Sequence, residues 1–320
     1  LLVVSRGTLR KALAGLAHEG LVRSRQGRRW EIARGRRRVV RRVPPRHLAL
    51  LTPCSLNVGA PFELYWIDDL REHLQYAGYR LEVFQELDYR GWRSNKVLEE
   101  LAREVRPVGW VLHSAPANVQ RWFSERSLPC VIVGSRHNRV DLPSVDRDLP
   151  AVCRHAAGRL VAKGHTRLAL LIPRSGLAGD LACETSFRET AEPILWPRNG
   201  EVVIAHHDGR PESVFHRLAA LMQRRPVPTG FLVTDTRYTL SALSFLLHQG
   251  WRVPKEVALI SRDSDHFLEY VMPSVARYAT SPTLFARKVS RVVLRLVEGG
   301  DVLPQDYRVM PRFIPGETLG

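Results

Sequence analysis

An α/β body built of two lobes, carried behind a small basic head, is the fold class this sequence predicts. From His47 onward, short apolar runs alternate with segments of helical period, the pattern of parallel sheets joined by right-handed crossovers. The strand-helix units are too many for one open sheet of ordinary width, and the pattern changes near residues 143–149, so two lobes are expected. Of the formal net charge of +16, +12 falls in residues 1–46, which hold 14 Lys and Arg against Glu19 and Glu31. A near-neutral body with so basic a front carries the electrostatic footprint of a polyanion-binding module.

The head comes first in the chain. Leu9, Leu13 and Leu16, with Ala12 and Ala17, recur at helical spacing and predict an amphipathic helix over 6–19, with Ser5 as N-cap and Gly20 as the stop. Arg6, Thr8, Arg10 and Lys11 lie off that stripe near the N-terminal end. A helix entering the major groove N-terminus first would aim them at base edges and phosphates. LVRSR and RRWEI then read as two short strands around Gln26-Gly27, a hairpin whose tip carries Arg25, Arg28 and Arg29. Trp30 and Ile32 are expected to pack inward.

SRGTLRKAL, then EGL and a basic QG turn, resembles the second half of a GntR-type winged helix-turn-helix over residues 3–33. That resemblance implies a DNA-binding role for Ser5, Arg6, Thr8, Arg10, Lys11, Arg25, Gly27 and Arg28. Arg29 stands where the family's wing has a second glycine. The chain opens at Leu1 inside what reads as a structural unit, so part of the head is expected to be missing ahead of it. Residues 34–46, RGRRRVVRRVPPR, have no helical period and read as a basic linker, extended at Pro44-Pro45.

In the body, HLALLTP, RLEVFQ, VGWVLHS and PCVIVG read as strands, followed by RLALLIP, EVVIAHH, TGFLVTD and EVALISRD, with helices between. PSVDRDLPAVCRHAAGRLVAKGHTRLALL, the run TGFLVTD through WRVPKEVALISRDSD and ATSPTLFARKVSRVVLRLVEGG resemble the LacI/GalR regulators and the periplasmic sugar-binding proteins behind them. The resemblance covers about 47–315. It implies a type I periplasmic-binding-protein-like body, 47–320, with lobe one near 47–146 and 279–300 and lobe two near 147–275 and 306–320.

A ligand cleft is expected between the lobes, because α/β sheets bind beyond the carboxyl ends of their strands. Strand ends then nominate Pro53, Cys54, Ser114, Arg136, Asp235 and Asp263 as effector-binding residues. A polyol needs such carboxylates and a guanidinium for its hydroxyls, and an aromatic such as Phe62 or Trp66 for its apolar face. Three departures from the family pattern stand out: Cys183 for the ligand-gripping Arg of R-x-x-G-F, Asp235-Thr236 for Asn-Asp, and Ser261-Arg262-Asp263 for Gly-Phe-Asp.

Catalysis is not expected. The chain has no GxSxG, GxGxxG, phosphate loop or HExxH, and the adjacent His206-His207-Asp208 reads as a loop after a strand. Cys54, Cys130, Cys153 and Cys183 form no CxxC pair, so reduced, buried thiols are expected, with no metal and no cofactor. No apolar run approaches the ~18 residues of a membrane span, and a cytoplasmic protein is the expectation. RNA binding would require aromatic platforms among the basic residues, and Trp30 alone stands there.

The expected function is a sequence-specific transcriptional regulator, a repressor, acting as a homodimer on a double-stranded DNA operator. Its affinity would be set by a small-molecule effector, a sugar or sugar derivative. The alternative is a regulator of the same architecture that has lost its small molecule and responds to a protein partner or acts constitutively.

Overall fold

Runs such as HLALLT and RLALLIP become strands because both of their faces are covered, and two parallel sheets are built from them. A computed structural model describes residues 6–18, 22–25, 29–32, 46–53, 59–85 and 94–320. The chain divides into two compact units, 1–45 and 46–320.

In the first unit, helix α1 (Arg6–His18) precedes strands β1 (Val22–Arg25) and β2 (Arg29–Ile32). The two strands pair antiparallel, with Val22 opposite Ile32. On α1, Leu9 and Leu16 are 55% and 39% exposed, so part of its apolar stripe is open to solvent. Arg6, Thr8, Arg10 and Lys11 fall on α1 and Arg25 ends β1. Ser5, Gly27, Arg28 and the expected linker up to residue 45 lie outside the described residues.

The second unit begins with β3 (Arg46–Thr52), α2 (Pro61–Tyr76), β4 (Tyr79–Gln85), α3 (Ser94–Val105), β5 (Gly109–His113), α4 (Ala117–Glu125), β6 (Cys130–Val133) and β7 (Ser144–Arg147). The chain then leaves this lobe through α5 (Leu149–Ala162), β8 (Arg167–Pro173), α6 (Ala178–Leu195), β9 (Glu201–His207), α7 (Pro211–Met222), β10 (Gly230–Val233), α8 (Thr236–His248), β11 (Ala258–Ser261) and β12 (Ala276–Ala279). It returns with α9 (Pro282–Val297) and β13 (Asp306–Val309) and ends with β14 (Arg312–Ile314).

One sheet runs β4-β3-β5-β6-β7-β13 and the other β9-β8-β10-β11-β12-β14. Counted within each lobe, the first five strands have the same 2-1-3-4-5 order, whose switch point lies between the first and third strands. Only the β12–β14 pair is antiparallel among these two sheets.

Helices begin where a side chain or a proline favours it. Asp148 caps α5 by accepting from Ala151 N, and Ser281 caps α9 by accepting from Leu284 N, with Pro282 at its first turn. The apolar face of α9, including Phe285, Val289 and Val293, packs on Trp66, Ile67 and Leu70 of α2 and on the first sheet. That burial returns the chain to lobe one.

One boundary differs from the sequence expectation. Residues 306–309, expected in lobe two, pair parallel with β7 through Asp306–Ser144 to Val309–Arg147, so the chain stays on lobe one until 309. The strand is also held by Ser144 Oγ, which donates to Asp306 Oδ1 at 2.8 Å. Strand β3 likewise starts at Arg46, at the end of the expected linker.

Candidate functional site

The switch points of both sheets face a common cleft of about 650 Å³, within the range of small-molecule sites. Pro53 follows β3 and Ser114 follows β5 on one side, and Arg174 follows β8 and Asp235 follows β10 on the other.

Lobe one supplies aromatic surface. Phe62 and Trp66, one turn apart on α2, meet Phe285 of α9 with ring centroids 5.6 and 5.7 Å away. Trp66 also packs edge-on to His113 at 5.2 Å. The His113 ring lies between Thr52 Oγ1, 3.2 Å from Nδ1, and Ser114 Oγ, 3.2 Å from Nε2. Burial lowers its pKa below the ordinary histidine value and keeps it neutral. Glu63 Oε1 stands 3.8 Å from the same Nε2.

Lobe two supplies charge. Asp263, after β11, accepts Arg262 Nη2 at 3.0 Å and Asp235 N at 3.1 Å on its Oδ2. Arg262 is 8% exposed, and its Nη1 donates to Asp180 Oδ1 of α6 at 3.1 Å. Asp235 caps α8 through Arg237 N at 2.8 Å and pairs with the Arg237 guanidinium at 2.6 Å. Two strand-end residues hold left-handed backbone, Ser114 with φ 48° and Asp235 with φ 68°. Side chains other than glycine seldom adopt such angles, and strain of ~1–3 kcal/mol gathers at functional sites.

Among the described residues, two hydrogen bonds and one close approach tie the lobes across the cleft. Arg147 Nη1, at the end of β7, donates to Asp263 Oδ1 at 2.5 Å. Phe62 N donates to Asp265 Oδ1 at 3.1 Å. A Cβ on Gly179 of α6 would stand 3.1 Å from Ser135 Oγ, so glycine lets that helix approach lobe one. Ser135 Oγ in turn donates to Asp146 Oδ2 at 2.5 Å. Burial pushes the Asp146 carboxyl above its ordinary value. Burial would do the same to Asp263, but the guanidinium charges of Arg147 and Arg262 outweigh it and hold that carboxyl well below the usual range.

Of the residues nominated from the sequence, Phe62, Trp66, Pro53, Ser114 and Asp235 line the cleft, whereas Asp263 is not among the lining residues but is bound to Arg147 and Arg262, which are. Arg136 is not brought there. Its Nε lies 3.3 Å from Asp306 Oδ1 and its Nη1 donates to Pro304 O at 2.5 Å, so it braces the chain leading into β13. Cys54 lies outside the described residues. Sequence reasoning missed Arg147, Asp146 and Asp180. It flagged Arg262 only as a departure, although a charged residue in place of an apolar one at a strand end was the available signal. Cys183 is buried, with Arg262 Nη1 at 3.6 Å from its Sγ. A guanidinium therefore reaches this point of α6 from β11 rather than from α6 itself.

His206 and His207, expected in a loop after a strand, are the last two residues of β9. His206 Nε2 pairs with Glu184 at 2.8 Å, and His207 packs edge-on to Tyr238 at 4.3 Å. Among the described residues, no group of three or more His, Cys, Asp or Glu is placed to hold a metal. No described helix is long and apolar enough to cross a membrane. Cys130, Cys153 and Cys183 are buried free thiols.

Residues 157–319 match the family described as periplasmic binding protein-like domain. The HTH-type transcriptional regulator CelR of Thermobifida fusca is 24% identical over 160 residues, 50% of this chain and 47% of that protein. The HTH-type transcriptional regulator reg1 of Streptomyces lividans is 22% identical over 204 residues, 62% of this chain and 59% of that one. The chain thus spans about half the length of these curated relatives. Among solved structures, a LacI family transcriptional regulator from Bifidobacterium animalis superposes with TM-score 0.74 at 18% identity, over 86% of this chain and 97% of that one. A transcriptional regulator CelR–cellobiose complex superposes with TM-score 0.72 at 19% identity, over 99% and 92%.

Proposed function

Because the chain belongs to the family of periplasmic binding protein-like domains, we propose that it is the basic head and effector-sensing body of a DNA-binding transcriptional repressor. The observation that carries this reading is the cleft itself: an aromatic wall on lobe one faces hydrogen-bonding carboxylates on lobe two. That is the division of contacts a sugar asks for, apolar stacking on one ring face and charge-assisted hydrogen bonds at its edge. Cellobiose in the related complex is consistent with the class.

The head is of GntR-type winged helix-turn-helix character, with α1 reading the major groove and the β1–β2 hairpin touching the neighbouring backbone. Two bodies dimerise so that two heads meet a pseudo-palindromic operator. Ligand closure of the lobes alters the spacing of the heads, and a coupling of ~1–3 kcal/mol changes operator affinity ~5–150-fold.

Thermal unfolding against monosaccharides, disaccharides, sugar acids and nucleosides tests the effector. A ligand at a hundred times its Kd adds ~2.7 kcal/mol of stability, and Asp235→Ala should abolish the shift. Log K for operator should fall with log salt by about 0.9 per phosphate contact, and a salt-independent affinity overturns the DNA reading. One observation favours a second reading, a regulator without a small molecule: the Asp263 carboxylate is already taken by two arginines. Silence across the whole panel, with operator binding intact, would establish it.

A further inference from the structure

One guanidinium makes both contacts that a polyol would seek in this cleft. Arg147 bonds the Asp263 carboxylate at 2.5 Å and lies over the Phe62 ring at 5.0 Å from its centroid, an arginine–aromatic stack. The first replaces a hydroxyl on a carboxylate, and the second replaces the apolar face of a sugar on an aromatic plate. Arg147 belongs to lobe one and Asp263 to lobe two, so the same contact also clasps the lobes.

The two oxygens of Asp263 are used unequally. Oδ2 accepts Arg262 and the backbone of Asp235, both from lobe two, whereas Oδ1 accepts Arg147 from across the cleft. Arg262 is held in turn by Asp180, so Asp180, Arg262, Asp263 and Arg147 form a cluster of two negative and two positive charges. Withdrawing Arg147 leaves Asp263 seated on Arg262, with Oδ1 free to accept from a ligand hydroxyl and the Phe62 face uncovered.

We propose that Arg147 is the specificity-determining residue of the cleft: it occupies the Asp263–Phe62 seat from within the chain, and a polyol enters that seat only when Arg147 leaves. The inference rests on reading the cleft as the effector site. It concerns the difference between a variant and the wild type, whereas the effector reading concerns what the wild type itself binds.

The test is titration calorimetry of the full chain, as wild type and as Arg147→Ala, with glucose, galactose, xylose, maltose and cellobiose. A charge-assisted hydrogen bond regained by Oδ1 is expected to raise affinity for at least one of these sugars about 10-fold or more over wild type. Adding Phe62→Ala to Arg147→Ala should remove that gain. Arg147→Lys, which keeps the charge and loses the planar fork, guards against a misfolded alanine variant and should show a smaller gain in the same direction. If every sugar binds variant and wild type alike, or none binds either, the proposal is overturned. If a sugar binds wild type and loses affinity in Arg147→Ala, Arg147 is an ordinary ligand contact; this inference then falls while the effector reading stands.

Discussion

Lobe one and lobe two repeat one strand order and turn chemically opposite faces to the cleft. At the first switch point stand Phe62, Trp66 and a neutral His113; at the second stand Asp180, Asp235, Arg237 and Arg262. The topology decides where the cleft lies, and the few residues after each strand decide what each side contributes. An aromatic wall is stable alone, since Trp66 is 1% exposed and packed among Phe285, His113 and α9. A charged wall is stable only if its charges pair, which is why Asp263, Arg262 and Asp180 bond one another before any ligand does.

The two walls should therefore fail in different ways. Trp66→Ala removes the largest fully buried side chain of lobe one, and the cavity should cost about 4 kcal/mol, read as a lower urea midpoint with little dependence on pH. Asp263→Ala leaves Arg147 and Arg262 without their shared partner, for which about 3 kcal/mol is expected near neutral pH. Its pH signature separates the two. The Asp263 carboxyl is held below its unfolded value, so its stabilisation is present above an unfolded pKa of ~3.9 and is lost as pH falls below that. The cost of Asp263→Ala should shrink from pH 7 to pH 3 while that of Trp66→Ala stays constant. Equal shrinkage would erase the distinction between the walls.

Histidine sharpens the contrast. His207, 3% exposed at the end of β9, has its pKa lowered to about 4, chiefly by burial. Between an unfolded pKa of ~6.5 and pH 4 the unfolded chain takes up a proton that the folded one refuses, so stability falls with falling pH. His207→Phe should remove on the order of 2 kcal/mol of that dependence, with urea unfolding at pH 7 and pH 4.5 as the measurement.

How far these features were legible in the sequence follows from burial. HLALLT and RLALLIP announce central strands because residues on both faces are apolar. Asp306–Val309 carries no such signal: its burial pattern alternates exposed and intermediate, and only pairing with β7 reveals its lobe. Ser114 and Asp235 reach the cleft lining because their position after a strand puts them there. Position could not say which way Arg136 turns, since that depends on Asp306, far along the chain. Arg147, flanked by Asp146 and Asp148, carries no signal of its own in the sequence, because its partner Asp263 lies far along the chain and only the fold brings it to within 2.5 Å.

The smallest effect bounds the comparison. Arg188 and Glu192 form an ion pair on α6 at 2.6 Å, shorter than the 3.1 Å between Arg262 and Asp180. If distance set the worth of a charge pair, Arg188→Ala would be the costlier change. Both of its side chains are 45% exposed, however, so water and salt screen the attraction, and ordering two long side chains opposes what remains. Arg188→Ala should cost about 0.3 kcal/mol and less in 1 M salt. Arg262→Ala, which takes a buried guanidinium from both Asp180 and Asp263, should cost several times more. A urea midpoint for Arg188→Ala as low as that for Arg262→Ala would mean that the charged wall owes nothing to its burial, and the contrast between the lobes would lose its physical basis.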